Sequence, residues 1–305
     1  LTIFFSLFFP FGSNSFSAES GKIGQKRESV FYTTAEIEAL IGADVPLFDL
    51  TEKLMGLENF EGRIRFTTRK LAVATGTELV NRLGEKLGVS PKKVAPPGRL
   101  LSPGELIWEG EGKGVLRLWK VAQNLFEYGM GVATYTRQMV ERGHQINPHL
   151  EILTTRKVIP YTKKVALEAV IDGGGMPHRV TTTETILVFQ NYINLFGGWE
   201  KFYREFPLLK KRGVEKKWVV EASTFSDALR LIELEVDVVQ LDKLPPDEVA
   251  EVVKKAHRRG IKVLAAGGIR LENIADYAQT GVDGIVTTAP YFAPSADVKV
   301  EITPL

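Results

Sequence analysis

Arg156 and Lys157 follow an apolar run at residues 150–154, and the same arrangement recurs downstream. Glu221 closes the run 218–221, Asp242 and Lys243 follow 238–241, Gly267 and Gly268 follow 263–266, and Thr288 and Ala289 follow 284–287. Two carboxylates, several cations and a glycine pair suit a phosphorylated ligand bound with a divalent cation. Glycine lets backbone N–H groups approach a phosphate, the cations neutralise it, and hard carboxylate oxygens suit Mg²⁺. The segment Gly173-Gly174-Gly175-Met176-Pro177-His178-Arg179 adds a loop with two more candidate donors to phosphate or pyrophosphate. A single strand-end acid commonly caps a turn, and a lone Gly-Gly is a weak signal; their joint placement is what points to a site. His144 and His149 flank Asn147-Pro148 without acidic companions and read as surface residues. Lys210, Lys211, Arg212, Lys216 and Lys217 read as a solvated helix end and turn.

Such residues meet only if the elements behind them are parallel. Beyond Pro148 the chain alternates strand patterns at 150–154, 185–189, 218–221, 238–241, 263–266 and 284–287 with helical apolar spacing at 165–171, 199–211, 225–235, 246–258 and 271–279. That repetition predicts a parallel α/β sheet, open or closed into a barrel, with all strand C-termini on one face. Upstream, residues 30–118 read as a small mixed unit. A helix follows Thr33-Thr34, strands are expected at 63–66 and 70–75, a helix at 79–87, a proline-punctuated connection through Pro91, Pro96 and Pro97, and strands at 105–108 and 114–118. A long helix is expected over 121–141.

With 305 residues, the chain is long enough for one large domain or two smaller ones. The absence of cysteine excludes disulfides, thiolate metal sites and cysteine nucleophiles. A net charge of +2 argues against general nucleic-acid binding, and no Gly-x-Ser-x-Gly, P-loop or dinucleotide fingerprint is present. The apolar run at residues 3–11 is too short to span a bilayer and has no basic residue before Lys22. Residues 1–29 are therefore read as an upstream extension or start-site artefact, with the cytoplasm as the expected location and no membrane partner.

The ordered set Thr155-Arg156-Lys157, Gly173 to Gly175 with His178-Arg179, Glu221, Leu241-Asp242, Ala266-Gly267-Gly268 and Thr280-Gly281-Val282-Asp283 resembles the type II phosphoribosyltransferases, typified by quinolinate phosphoribosyltransferase. Asp44-Val45-Pro46 and Asp49-Leu50-Thr51 extend the likeness upstream, so that it covers about residues 30–302. Thr154-Thr155-Arg156-Lys157, Glu184-Thr185-Ile186-Leu187-Val188-Phe189 and Ala289-Pro290-Tyr291-Phe292-Ala293-Pro294, with Asp297 and Lys299, are similar to the ModD branch, pyrophosphorylases associated with molybdate-transport operons.

The resemblance implies an α/β sandwich (30–118 and 289–305) and an incomplete six-stranded α/β barrel (119–288), in a homodimer with shared active sites. It places Arg156, Lys157, His178 and Arg179 around phosphoribosyl pyrophosphate and the acceptor base. Glu221 and Asp242 would hold the ribose hydroxyls and Mg²⁺, while Gly267, Gly268, Thr288 and Ala289 would bind the 5′-phosphate. The acceptor pocket departs from the quinolinate enzymes. Phe189 stands where they have a lysine, Asn191-Tyr192 where they have Asn-His, and Lys120 where the neighbouring subunit offers an arginine. The expected reaction is thus phosphoribosyl transfer to an aromatic nitrogen heterocycle other than quinolinate. The alternatives are carboxylating quinolinate phosphoribosyltransferase, a barrel isomerase or synthase, and a non-catalytic molybdate-handling accessory protein.

Overall fold

A computed structural model describes residues 30–305; the run at 3–11 and the reading of residues 1–29 lie outside them. Helix α1 (Thr34–Asp44) starts at a capping box in which Thr33 Oγ1 accepts from the Glu36 N–H and the Glu36 carboxylate accepts from the Thr33 N–H. The short α2 (Leu50–Leu54) is capped by Asp49. There follow β1 (Gly62–Thr68), β2 (Ala72–Val73), α3 (Thr77–Leu87), β3 (Val89–Val94), β4 (Leu100–Leu101), β5 (Leu106–Gly112) and α4 (Val115–His144).

An antiparallel sheet in the order β13-β1-β5-β3 is closed by the last strand of the chain, β13 (Val298–Pro304). Along β1, Ile64 and Phe66 point into a core shared with α3 and α4, while Arg63 and Arg65 face outward to pair with Glu111 and Glu109. The Phe66 ring packs edge-on against Trp108 and Phe126, with centroids 6.1 and 5.3 Å away.

Three local readings change here. Residues 114–118 are not a strand: Val115, Leu118, Ala122 and Phe126 recur at helical spacing on one buried stripe, so α4 begins at Val115. A five-residue segment with only three apolar side chains, Val115, Leu116 and Leu118, does not by itself distinguish the two periods. Residues 89–94 form β3, an edge strand, where Pro91 is tolerated and the register against β5 shifts. Within 70–75 only Ala72 and Val73 are strand.

The second half comprises β6 (Glu151–Thr154), α5 (Lys163–Asp172), β7 (Met176–Pro177), β8 (Ile186–Val188), α6 (Gln190–Phe196), α7 (Trp199–Lys210), β9 (Trp218–Ala222), α8 (Phe225–Glu233), β10 (Val238–Asp242), α9 (Pro246–His257), β11 (Lys262–Ala266), α10 (Ile274–Ala278) and β12 (Gly284–Thr287). Its sheet is parallel throughout, in the order β7-β6-β12-β11-β10-β9-β8. Each of β8 to β12 lies beside its successor, and β12 returns to pair with β6, so the sheet curls into an incomplete barrel. The two-residue β7 adds a seventh strand at the open edge. Leu153, Leu187, Val219, Val238, Leu264, Ala266 and Val286 form the inner cluster, and alternate residues such as Val220, Val239, Leu241 and Val263 pack outward in the helix-covered core. Helix α4 contributes to both halves, through Leu118 and Phe126 to the first core and Met139 to the second. Among the described residues, no helix is long and apolar enough to cross a membrane.

The extended segment before α1 is tied down at both termini of its packing surface. Lys164 Nζ donates to the Phe31 carbonyl at 2.9 Å, and the buried Tyr32 hydroxyl donates to Glu168 Oε2 at 3.0 Å. Burial, reinforced by the negative charges of Asp172 and Glu78, pushes the Glu168 carboxyl up to about 7, from an ordinary 4.5. Between those pH values the folded chain keeps a proton that the unfolded chain has released, so stability falls as pH rises through this window, by about 3 kcal/mol in all. Glu168→Gln keeps an acceptor for Tyr32 but does not titrate. Its denaturation midpoint is expected to drop less than the wild type's between pH 5 and pH 8; parallel declines in the two proteins would refute this assignment.

Candidate active site

The candidate site is the set of inward-facing residues at the C-terminal ends of the barrel strands. On β9, Glu221 follows Val219 on the inner face, and on β10, Gln240 and Asp242 follow Val238. Gln240 is directly opposite Glu221 in the β9–β10 pairing, and its Nε2 donates to Glu221 Oε2 at 2.7 Å. Burial raises the Glu221 pKa and the charge of Asp242 adds to this; Gln240, Lys157 and Lys243 oppose it. Residues from the ends of β6, β9 and β10 are therefore within electrostatic reach of one another.

The chain leaves β10 through Lys243, in the left-handed region at φ 63°, whose N–H donates to the Ala266 carbonyl at 2.8 Å. This bond holds the β10 and β11 ends together and explains Gly267. At φ +93°, a Cβ there would lie 2.4 Å from Lys243 Cγ and 2.8 Å from Asp242 Oδ1. Gly268, also left-handed, faces open space. Beyond β12, the Thr287 hydroxyl donates to the Ile269 carbonyl at 2.6 Å and accepts the Ala289 N–H at 3.0 Å. Ala289, expected with Thr288 at the 5′-phosphate, thus has its N–H on the Thr287 hydroxyl, and Thr288 is at the rim, half-buried.

At β6, the Tyr291 hydroxyl lies 2.8 Å from Thr154 Oγ1, and Thr155 Oγ1 accepts the Lys157 N–H, turning the chain so that Arg156 and Lys157 are exposed at the rim. The His178 N–H donates to the Thr154 carbonyl, bringing the 173–179 loop to the same edge. Burial and the neighbouring Arg179 lower the His178 pKa, so its imidazole is neutral at neutral pH. Arg179 is only 9% exposed, and among the described residues no hydrogen bond or ion pair engages its guanidinium. Burial and then the charge of Arg156 depress its pKa. Its guanidinium carbon is 6.0 Å from the centre of the Phe189 ring. Phe189 packs on the inner apolar cluster and stacks with Tyr192 at 6.4 Å, while Asn191 is exposed on the first turn of α6.

Lys120 is not part of this group. It lies on the second turn of α4, its ammonium 4.5 Å from the Trp119 ring centre and 3.2 Å from Gln123 Oε1. Gln240 is the residue that sequence reading overlooked, although it shares the strand phase of Asp242. Among the described residues no group of three or more His, Asp or Glu forms a metal cage. Glu221 and Asp242 supply the two hard carboxylates that suit Mg²⁺ when ligand phosphates complete its shell.

Family models for the N-terminal and C-terminal domains of quinolinate phosphoribosyl transferase match residues 49–129 and 132–301. The chain belongs to the quinolinate phosphoribosyl transferase family. It is thus an enzyme of the phosphoribosyltransferase class. It is 31% identical to a protein of Pasteurella multocida named as pyrophosphorylase ModD, over 90% of this chain and 98% of the relative. It is 30% identical to a protein of Methanothermobacter thermautotrophicus named as a carboxylating nicotinate-nucleotide pyrophosphorylase, over 87% of this chain and 97% of the relative. The nicotinate-nucleotide pyrophosphorylase structure from Francisella tularensis superposes with a TM-score of 0.80 at 24% identity, covering 88% of this chain and 95% of that one. That likeness supports the fold.

Proposed function

We propose that this family member transfers the phosphoribosyl group of phosphoribosyl pyrophosphate to an aromatic nitrogen heterocycle other than quinolinate, releasing pyrophosphate. The observation that carries the reading is the wall beside Arg179, where the stacked rings of Phe189 and Tyr192 offer an aromatic surface in place of a second cation. A dianionic base there would set one carboxylate against the rings instead of a cation, whereas a neutral or monoanionic ring would stack.

In the proposed reaction the C1′–O bond to pyrophosphate breaks as a C1′–N bond forms. The ring nitrogen supplies the new bonding pair, and pyrophosphate leaves with the old one. Positive charge grows on the sugar and negative charge on the leaving group. Arg156, Lys157 and Arg179 stabilise the departing pyrophosphate, and Glu221 and Asp242 orient the ribose hydroxyls. Gly267 and Gly268 receive the 5′-phosphate. Glu221 and Asp242 would also be the residues to hold Mg²⁺, whose chemistry there would be further charge neutralisation. A neutral His178, unlike an imidazolium, would not protonate the ring nitrogen that must attack. A homodimer in which Lys120 serves the neighbour's site belongs to the same reading.

The test is pyrophosphate release from phosphoribosyl pyrophosphate and Mg²⁺ against a panel of heterocycles that includes quinolinate. Turnover is expected with a neutral or monoanionic base and little with quinolinate. Efficient release of pyrophosphate from phosphoribosyl pyrophosphate together with CO₂ from quinolinate would instead establish the second reading, which the identity to a carboxylating relative favours.

A further inference from the structure

We propose that Gln240 is the positioning residue for Glu221, holding its carboxylate to meet the ribosyl moiety of the donor; the inference rests on the transfer reaction proposed above. Gln240 occupies a place where strand geometry calls for an apolar side chain. Its neighbours Val239 and Leu241 point out into the helix-covered core, and Val238, below it on the same face, belongs to the apolar inner cluster. Gln240 itself is 4% exposed.

Only one end of its amide is satisfied. The Nε2 group donates to Glu221 Oε2 at 2.7 Å, whereas Oε1 is buried without a hydrogen-bond partner among the described residues. Turning the amide over would not help, because it would set a carbonyl oxygen against the Glu221 carboxylate. An unsatisfied buried carbonyl is unfavourable, and a methionine of similar length would fill the space without that penalty. Stability therefore does not account for glutamine here. Its pairing with Glu221 does. The two residues are register partners on adjacent strands, so the bond fixes one oxygen of Glu221 from the side, and no hydrogen bond within the described residues engages the other. Asp242, two residues further up the same face, repels the Glu221 carboxylate, which a flexible side chain would relieve by swinging away. The amide holds it in place.

The experiment compares wild type with Gln240→Met, which deletes both polar ends, and Gln240→Asn, which keeps the amide on a stem one methylene shorter. Isothermal titration with phosphoribosyl pyrophosphate and Mg²⁺ is run beside titration with inorganic pyrophosphate in the absence of Mg²⁺, which meets the rim cations but does not involve the Glu221 carboxylate, together with thermal melts. In both variants the affinity for phosphoribosyl pyrophosphate is expected to fall by about 10- to 100-fold, the worth of one hydrogen bond to a charged group. Pyrophosphate affinity should stay at the wild-type level, and Gln240→Met should melt no lower than wild type. A merely structural role would move both ligands and the melt together, and that outcome overturns the inference, as does unchanged donor affinity in both variants. Wild-type protein that fails to bind phosphoribosyl pyrophosphate overturns the transfer reading itself, and this inference with it.

Discussion

Arg179→Met should lower turnover by about 10²- to 10³-fold, the usual consequence of removing one group that stabilises a developing charge, and should not lower the melting temperature. Arg179 is buried to 9% exposure with no ion pair in the described structure; Arg156 depresses its pKa, and Glu184 acts in the opposite sense only as a weaker influence without direct pairing. A desolvated guanidinium next to a like charge destabilises the fold unless an anion arrives. Phe189 gives it a ring face at 6.0 Å, which is weak compensation for lost hydration. A methionine would keep the packing on that ring and remove the charge. Thermal melts without ligand, paired with a pyrophosphate-release assay, measure both sides of the trade. A variant that loses activity only in proportion to lost stability would assign Arg179 a structural role.

Lys120→Ala and Arg156→Ala are each expected to be nearly inactive alone, again by about 10²- to 10³-fold, and to recover activity when combined in one dimer. Within one chain Lys120 touches Trp119 and Gln123, and Gln123 in turn bonds the Val298 carbonyl of β13. It is thus fastened on the side of the antiparallel sheet and makes no contact with the barrel rim. Arg156 lies on the rim itself. If each site takes Arg156 from one subunit and Lys120 from the other, a mixed dimer contains one site with both cations and one with neither. Co-expression with two affinity tags isolates that species. Mixed dimers as inactive as the two parents would end the shared-site reading.

Some of this chemistry was legible because it is local. Glu221, Asp242 and Gly267 sit at the ends of apolar runs, and a parallel α/β pattern brings such ends together. Where a signal spanned little more than one helical turn it misled: Gly114 to Leu118 reads as a strand unless the buried stripe running on through Phe126 is taken with it. Pro91 read as a break because only its place on a sheet edge makes it acceptable. Gln240 was overlooked because a glutamine in an apolar strand carries no meaning until its partner is known. The bond from the Ala289 N–H to the Thr287 hydroxyl was not legible either, because it exists only once the turn after β12 is built.

The sequence alone determined the alternation of strands and helices, the set of charged and glycine residues at the strand ends, and the family. Those depend on periodicity and residue type over a few positions, which a linear chain displays. The tertiary structure decided that Gln240 faces Glu221, that Arg179 is buried without an ion pair among the described residues and that Lys120 stands apart from the rim. Each depends on how the sheet curls and which strands become neighbours, and hence on packing among segments far apart in the chain, where burial and the absence of a partner are created together.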